Sequence, residues 1–315
     1  MTNKVKFIAF SGLVILLFTA CHRRTTKIPE TILSGKATIA ADESLQPLMS
    51  AELAVFGSMY QYASVDCRFG SENEILTDLI RQRIRLAIVA RPLKQQEIDF
   101  FKVKNIPAES IPLAYDAIAL IVNPENTAGR VSLDQLKQIL SGAITDWAQV
   151  DGAGRKGPIR LVFDSKSSGI IRSLNDSLHL DGKIAGTIMF SGTSNNIIND
   201  VAANSDAIGF IGYNWLSETE NPLIRRTLEK VRLLAVSKDR KTWEQNSFQP
   251  SVTTIYNRKY PLIREIYAIY TDPAPGLSKG FLAQLTSERG QRIIFRMGLL
   301  PANDLQRQVL IKNDY

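Results

Sequence analysis

Two apolar runs set the limits on what this chain can fold into. Arg85-Leu-Ala-Ile-Val-Ala90 and Asp116-Ala-Ile-Ala-Leu-Ile-Val-Asn123 are continuous rather than alternating. A strand with one wet face alternates apolar and polar residues, whereas an unbroken run belongs to a strand covered on both faces. Both runs fall far short of the ~20 residues a membrane span requires. Helical spacing recurs around them: Leu45 to Phe56, with Pro47 tolerated in the first turn, and Ser132 to Leu140. Ser71-Glu72-Asn73-Glu74 has the form of a capping box and opens a helix through Ile75, Leu76, Leu79 and Ile80. Ser165-Lys-Ser-Ser-Gly169 opens another helix, which carries Arg172, and further helices are predicted near Ile197 to Ala203 and over Lys279 to Met297. Strands are predicted at Ala37 to Ala40, Ile159 to Phe163, Ala207 to Tyr213 and Leu233 to Val236, and within Tyr260 to Tyr270. Strands alternating with helices predict α/β architecture with mostly parallel sheets.

The first 21 residues, MTNKVKFIAFSGLVILLFTAC, read as a lipoprotein leader. Lys4 and Lys6 form a basic start, Phe7 to Ala20 is almost wholly apolar, and small residues stand directly before Cys21. The run is too short to cross a bilayer comfortably, which favours a cleaved signal with Cys21 lipidated. The expectation is an extracytoplasmic protein on the periplasmic side, anchored to a bacterial membrane through Cys21, with residues 21–36 as a tether. Cys67 then has no intrachain partner, so a hydrophobic core must supply the stability.

Hydrophobic content of 44% and charged content of 22% belong to a globular chain. The net charge is +7, two units of which are the leader lysines, and the basic residues are dispersed, which argues against nucleic acid. With His22 and His179 the only histidines, a His-based metal site or a Ser-His-Asp triad is nearly excluded. Asp181, Asp200 and Asp206 lack calcium-ligand spacing. Ser165 to Ser168 lacks the Gly-x-Ser-x-Gly elbow and an evident base. No enzyme, metal or cofactor is expected.

Several segments, in order, resemble the phosphate-binding proteins of bacterial ABC transporters. They are Ala40 to Leu48 (AADESLQPL), Gly70-Ser71-x-x-x-Ile75, Arg85 to Leu93 (RLAIVARPL), Tyr115 to Ala119 and Asn123-Pro124. Next come Leu136-x-x-Ile139-Leu-Ser-Gly-x-Ile144-Thr-x-Trp147 and Ala207-Ile-Gly-Phe-Ile211. Tyr260-Pro-Leu-Ile-Arg264-x-Ile-Tyr267, Ser287-Glu-x-Gly290-Gln291 and Gly298-Leu-Leu-Pro301 complete the series. The resemblance implies a two-lobed Venus-flytrap fold of the type II class with two hinge crossovers. Lobe one would be 37–115 with 245–315, and lobe two 116–244. It also implies a small oxyanion ligand, phosphate above all, delivered to ABC permease subunits.

The family holds its anion with hydroxyls and backbone N–H groups at helix N-termini, where unpaired donors and the macrodipole favour negative charge. The matching positions here are Glu43, Ser44, Ser71, Ser168 and Gly169. Ser44, Ser71 and Ser168 could equally do no more than cap their helices. Arg172 could reach back to the anion or be a solvated helix residue. Three departures stand out. Asp42 and Glu43 replace small hydroxyl residues, Glu72 and Glu74 replace glycines, and Asp164 stands where many relatives have arginine. A carboxylate at a helix start can fill the niche otherwise left for the ligand. An alternative therefore stays open: a non-transport sensor or interaction module with an altered or lost ligand. Trp147, Trp215 and Trp243 are expected to pack within lobes, with a cleft role open for Trp215.

Overall fold

The computed structural model describes residues 30–303 apart from 152, 155, 181–183, 242 and 244. Cys21, the leader and Asp181 therefore lie outside the described residues.

The strands in chain order are β1 (Gly35–Asp42), β2 (Ala63–Gly70), β3 (Leu86–Val89), β4 (Glu109–Val122), β5 (Arg130–Ser132), β6 (Arg160–Phe163) and β7 (Thr187–Phe190). They continue with β8 (Ala207–Gly212), β9 (Arg232–Leu233), β10 (Ala235–Ser237), β11 (Ser247–Phe248), β12 (Ile263–Tyr270) and β13 (Leu300–Pro301). One sheet runs β2-β1-β3-β12-β4-β8-β6-β7, with β9 and β13 beside β4, and β11-β10-β5 form a second. The fold is two-lobed and mixed α/β. Each half has a parallel core, β2-β1-β3 in one and β8-β6-β7 in the other. Antiparallel pairs enter where β12 and β4 cross between the halves.

The two apolar runs explain how each half is covered. In β3, Leu86 and Ile88 join a core with Met49, Phe56 and Phe281, while Ala87 and Val89 join another with Leu79 and Phe101 on the opposite face. In β4, Leu120 and Val122 pack with Trp147 and Phe163, while Ala119 and Ile121 pack with Ile197 and Val201. Each strand is thus buried on both faces, so nothing in it needs to be polar.

β4 is far longer than the run that announced it, because its first half, Glu109 to Tyr115, pairs with β12 before the chain enters the second lobe. Ile255, Tyr260 and Leu262 lie in the second lobe's core. We propose that the return crossing falls at the Leu262–Ile263 step rather than near 245.

Two local expectations change. The helix predicted over Lys279 to Met297 is two helices, Leu277–Thr286 and Glu288–Arg296. Ser287 between them is extended (φ −69°, ψ 161°), and its hydroxyl accepts from the Gly290 N–H, so a cap interrupts an otherwise helical pattern. The segment from Glu30 to Lys36, expected within the tether, touches the fold while the Ile32 and Leu33 side chains stay exposed. Thr31 bridges Ser34, the Ile32 carbonyl fills the place a Cβ on Gly280 would take, and Gly35 and Lys36 already pair with β2.

Candidate functional site

The C-terminal ends of β1, β2 and β3 in the first lobe face two helix N-termini of the second, those of Gly169–Leu178 and Ser194–Ala203. Such helix starts expose unpaired N–H groups, so the second lobe presents two anion-accepting points. Carboxylates of the first lobe approach both.

Glu43, in the 3-10 turn after β1, reaches across to the Ser194–Ala203 helix. Its Oε1 accepts from the Ser194 N–H at 2.8 Å and its Oε2 from the Ser194 hydroxyl at 2.7 Å. Glu43 is 6% exposed, and no ion pair to it is seen among the described residues. Burial pushes its carboxyl up to about 7, with Asp164 and Asp42 adding repulsion and the two bonds from Ser194 opposing.

Asp42 caps the same turn, its Oδ1 accepting from the Ser44 N–H at 3.0 Å and from the Ser44 hydroxyl at 2.5 Å. Its Oδ2 is buried with no partner and stands 2.5 Å from where a Cβ on Gly169 would lie. Glycine is therefore required at 169 by close approach, not by backbone angle. Burial raises the Asp42 carboxyl to about 6, against the attraction of Arg264.

Glu72, the first residue of the Glu72–Ile80 helix, is 1% exposed and is paired by Arg172 of the other lobe and, at 3.5 Å, by Arg91 of its own. Arg172 donates through Nε to Glu72 Oε1 at 2.5 Å and through a terminal nitrogen to Oε2 at 3.1 Å. The same nitrogen donates to the Ala90 carbonyl at 2.6 Å. Arg172 is thus a strut between lobes rather than a solvated residue, and Ala90 contributes through its backbone. Asp164 is 4% exposed with one oxygen unpartnered, and burial raises its carboxyl despite bonds from Ser168 and Ser165.

The candidate hydroxyls are gathered here too. Ser168 caps its helix through the Ile170 N–H at 3.1 Å. Ser71 closes its capping box, with its N–H and hydroxyl donating to Glu74 at 3.0 and 2.8 Å, and it accepts from Ser167 of the other lobe at 3.0 Å. Ser44 is saturated. Its hydroxyl accepts from Arg264 at 2.8 Å, and its carbonyl accepts from Asn214 and Trp215 at 2.8 and 3.1 Å. Trp215 therefore packs against the second lobe's core, as expected, and also reaches the cleft through its indole N–H. Trp147 packs in the second lobe's core, and Trp243 lies under Arg130.

Beneath Ser44 lies a pair to which the sequence assigned no role. Arg264 of β12 sits opposite Asp116 of β4 and donates to its Oδ2 at 2.7 and 3.1 Å, both residues being buried. The signal was a buried-side charge in each largely apolar strand, Asp116 opening DAIALIVN and Arg264 in IREIYAIY, where Glu265 beside it is exposed. Gly212 closes the floor: a Cβ there would come within 3 Å of Asn214, Ser44 and Arg264. Ser194 was also missed, since Thr193 before it carries the N-cap signal. At the mouth, a pocket of about 620 Å³ is lined by Asn73, Lys166, Ser167, Ser168, Arg172 and Asp176. Among the described residues, no group of three or more His, Cys, Asp and Glu could hold a metal ion, and no helix is long and apolar enough to cross a membrane.

A cleft between two α/β lobes with helix starts aimed into it is the arrangement of a solute receptor, and residues 29–289 match the pattern described as the PBP superfamily domain. The chain belongs to the PBP superfamily. Among similar proteins, Phosphate-binding protein PstS of Bacillus subtilis (strain 168) is 24% identical over 277 residues, covering 87% of this chain and 83% of that one. The PstS of Borreliella burgdorferi is 22% identical over 307 residues, covering 95% and 98%. A structure from Clostridium perfringens, described as a phosphate ABC transporter substrate-binding protein with bound phosphate, superposes with a TM-score of 0.69 at 22% identity, covering 85% of this chain and all of that one. An ABC-type phosphate transport receptor from Vibrio cholerae gives 0.60 at 21% identity, again covering 85% and all. These likenesses place the superfamily fold in its two-lobed, type II form.

Proposed function

We propose that the protein is an extracytoplasmic solute receptor, lipid-anchored through Cys21, whose cleft takes a small oxyanion, inorganic phosphate, for delivery to an ABC permease. The observation that carries this reading is the pair of bonds from Ser194 to the Glu43 carboxylate. A helix start in the cleft already holds an anionic group by one N–H and one hydroxyl, which are the donors an oxyanion needs. The similarity to proteins named for phosphate binding supports the choice of anion. Ser71, Ser168 and the Gly169 N-terminus would complete the ligand's surroundings from both lobes. The reading gives the protein no catalytic step and no cofactor.

Calorimetry of the full chain in detergent, titrated with phosphate and then with sulfate, tests it. Saturable phosphate binding with weaker sulfate binding is expected, because phosphate carries a proton that a buried carboxylate can accept and sulfate offers only acceptors. Anchoring is tested separately. Cys21→Ser should release the protein from the membrane fraction, and unchanged retention would remove the lipid anchor from the account.

A second reading, a sensor or interaction module on the same fold, is favoured by one observation: Asp42, Glu43, Glu72 and Asp164 are all buried in the cleft. If wild type binds neither anion, this reading replaces uptake.

A further inference from the structure

We propose that Glu43 is a tethered occupant of the ligand's own position: docked on the Ser194–Ala203 helix from the opposite lobe, it adds a latch to the interlobe ties of Arg172, Ser167, Asn214 and Trp215, and an incoming oxyanion must expel it. The ligand half of the proposal rests on the oxyanion reading above, while the latch half stands without it.

The geometry is that of a bound ligand. Two oxygens of one carboxylate take the N–H and hydroxyl of Ser194 at 2.8 and 2.7 Å, as two oxygens of a tetrahedral anion would. An ordinary structural tie between lobes would pair opposite charges, as Arg172 does with Glu72. Glu43 instead sits with Asp42 and Asp164 as its charged neighbours, both of which repel it. A buried carboxylate among acids is retained by the helix N-terminus alone, so the contact is reversible in a way a neutralised pair is not.

At the second helix start a carboxylate oxygen is also brought close, though without a bond to the helix. Asp42, 2% exposed, aims its unpartnered Oδ2 at Gly169, within 2.5 Å of the Cβ position there. One anion-accepting point of the second lobe is therefore bonded by a carboxylate of the first, and the other has an unpartnered carboxylate oxygen beside it. A receptor built this way pays for ligand binding by losing its latch, and its apparent affinity falls by the fraction of molecules in which Glu43 is docked.

The test uses the full chain in detergent with spin labels at Thr77→Cys and Ser177→Cys, two exposed positions on facing helices of the two lobes. Cys67 is half-buried, with burial pushing its thiol up to about 12, so the introduced cysteines label first. Without ligand, wild type should give a predominantly short interlabel distance with about a tenth of molecules longer, and Glu43→Ala should enlarge the longer population. Glu43→Ala should also bind inorganic phosphate about tenfold more tightly, as expected if the latch is closed in roughly nine molecules of ten. Ser194→Ala, which keeps the N–H bond and loses only the hydroxyl, should open less and guards against a misfolded Glu43 variant. An unchanged distance in Glu43→Ala and Ser194→Ala overturns the latch. Weaker phosphate binding by an opened Glu43→Ala also overturns the proposal, making Glu43 a ligand contact instead. Opening without phosphate binding in either protein supports the latch and overturns only the oxyanion reading.

Discussion

The hinge and the cleft both bury carboxylates. Apart from Glu72, which Arg172 pairs, the cleft gives its acids no cation as a direct partner among the described residues, where the hinge does. At the hinge, Asp116 is met by Arg264 from the neighbouring strand, whose guanidinium opposes the rise that burial gives the carboxyl, and the crossing strands are held together through the pair. In the cleft a few residues away, Asp42, Glu43 and Asp164 are buried with hydroxyls and N–H groups as their partners, and among the described residues no cation pairs with Glu43. Removing a partner from a buried ion pair leaves an uncompensated charge, whereas protonating or deleting an acid that has no ion partner relieves one. The hinge is built to stay as it is, and the cleft is built to change.

The largest expected effect breaks the comparison at its fixed end. Arg264→Met should cost on the order of 3–5 kcal/mol, because Asp116 loses its cation in a fully buried place. Asp42→Asn should be neutral or stabilising, since its amide oxygen can still cap Ser44 while the charge disappears. Thermal melts of the two variants at pH 7.5 decide it, and equal losses would erase the distinction.

The next effect extends the comparison to a carboxylate outside both regions. Glu52 is wholly buried in the first lobe and neither oxygen has a partner; burial raises it to about 8, and Gln284 beside it offsets only part of that. Glu43 at about 7 and Asp42 at about 6 are raised for the same reason. A carboxyl raised in the folded state contributes stability that is fully present below its unfolded value near pH 4 and is lost as pH rises through the folded value. Melting temperature should therefore fall between pH 5 and pH 8.5. Glu52→Gln should flatten the upper part of that slope by a few kcal/mol, because each pH unit separating the folded and unfolded values is worth ~1.4 kcal/mol. A melting temperature that climbs across the same range would contradict the burial of these acids as charged-form penalties.

Much of the architecture was legible because it rests on local signals. The doubly buried strands announced themselves as unbroken apolar runs, and the capping box at Ser71 and Glu74 formed as its spacing predicts. What was not legible lies between elements distant in sequence. That Glu43 meets Ser194, that Arg172 meets Glu72, and that Asp116 meets Arg264 are pairings across 151, 100 and 148 residues. Spacing along the chain carries no information about them. The acids at 42, 43 and 72 could be read as unusual at helix starts, but their own sequence neighbourhoods pointed to their own helices. The structure sends Glu43 to a helix of the other lobe.

A smaller effect probes how tightly the cleft is closed. Gly169→Ala places a methyl against Asp42 and Glu72, and overpacking of this kind costs about 1–3 kcal/mol. The same substitution should lengthen the interlabel distance, and a melt and distance identical to wild type would show that the lobes are not in contact there. The smallest effect sets a baseline away from hinge and cleft. Ser132 caps the Leu133–Leu140 helix through the Gln135 N–H, and Ser132→Ala should cost ~1 kcal/mol with no change in interlobe distance.

The most direct test of the account follows one proton, the amide of Ser194. Labelled with nitrogen-15 at serine, the full chain should show this amide shifted far downfield without ligand, as expected for an N–H held by a carboxylate. In Glu43→Ala the shift should collapse, and inorganic phosphate should restore it as the anion takes the place that Glu43 left. A Ser194 amide that does not respond to loss of Glu43, or that phosphate leaves untouched in the variant while binding elsewhere, would contradict the claim that the two compete for one position.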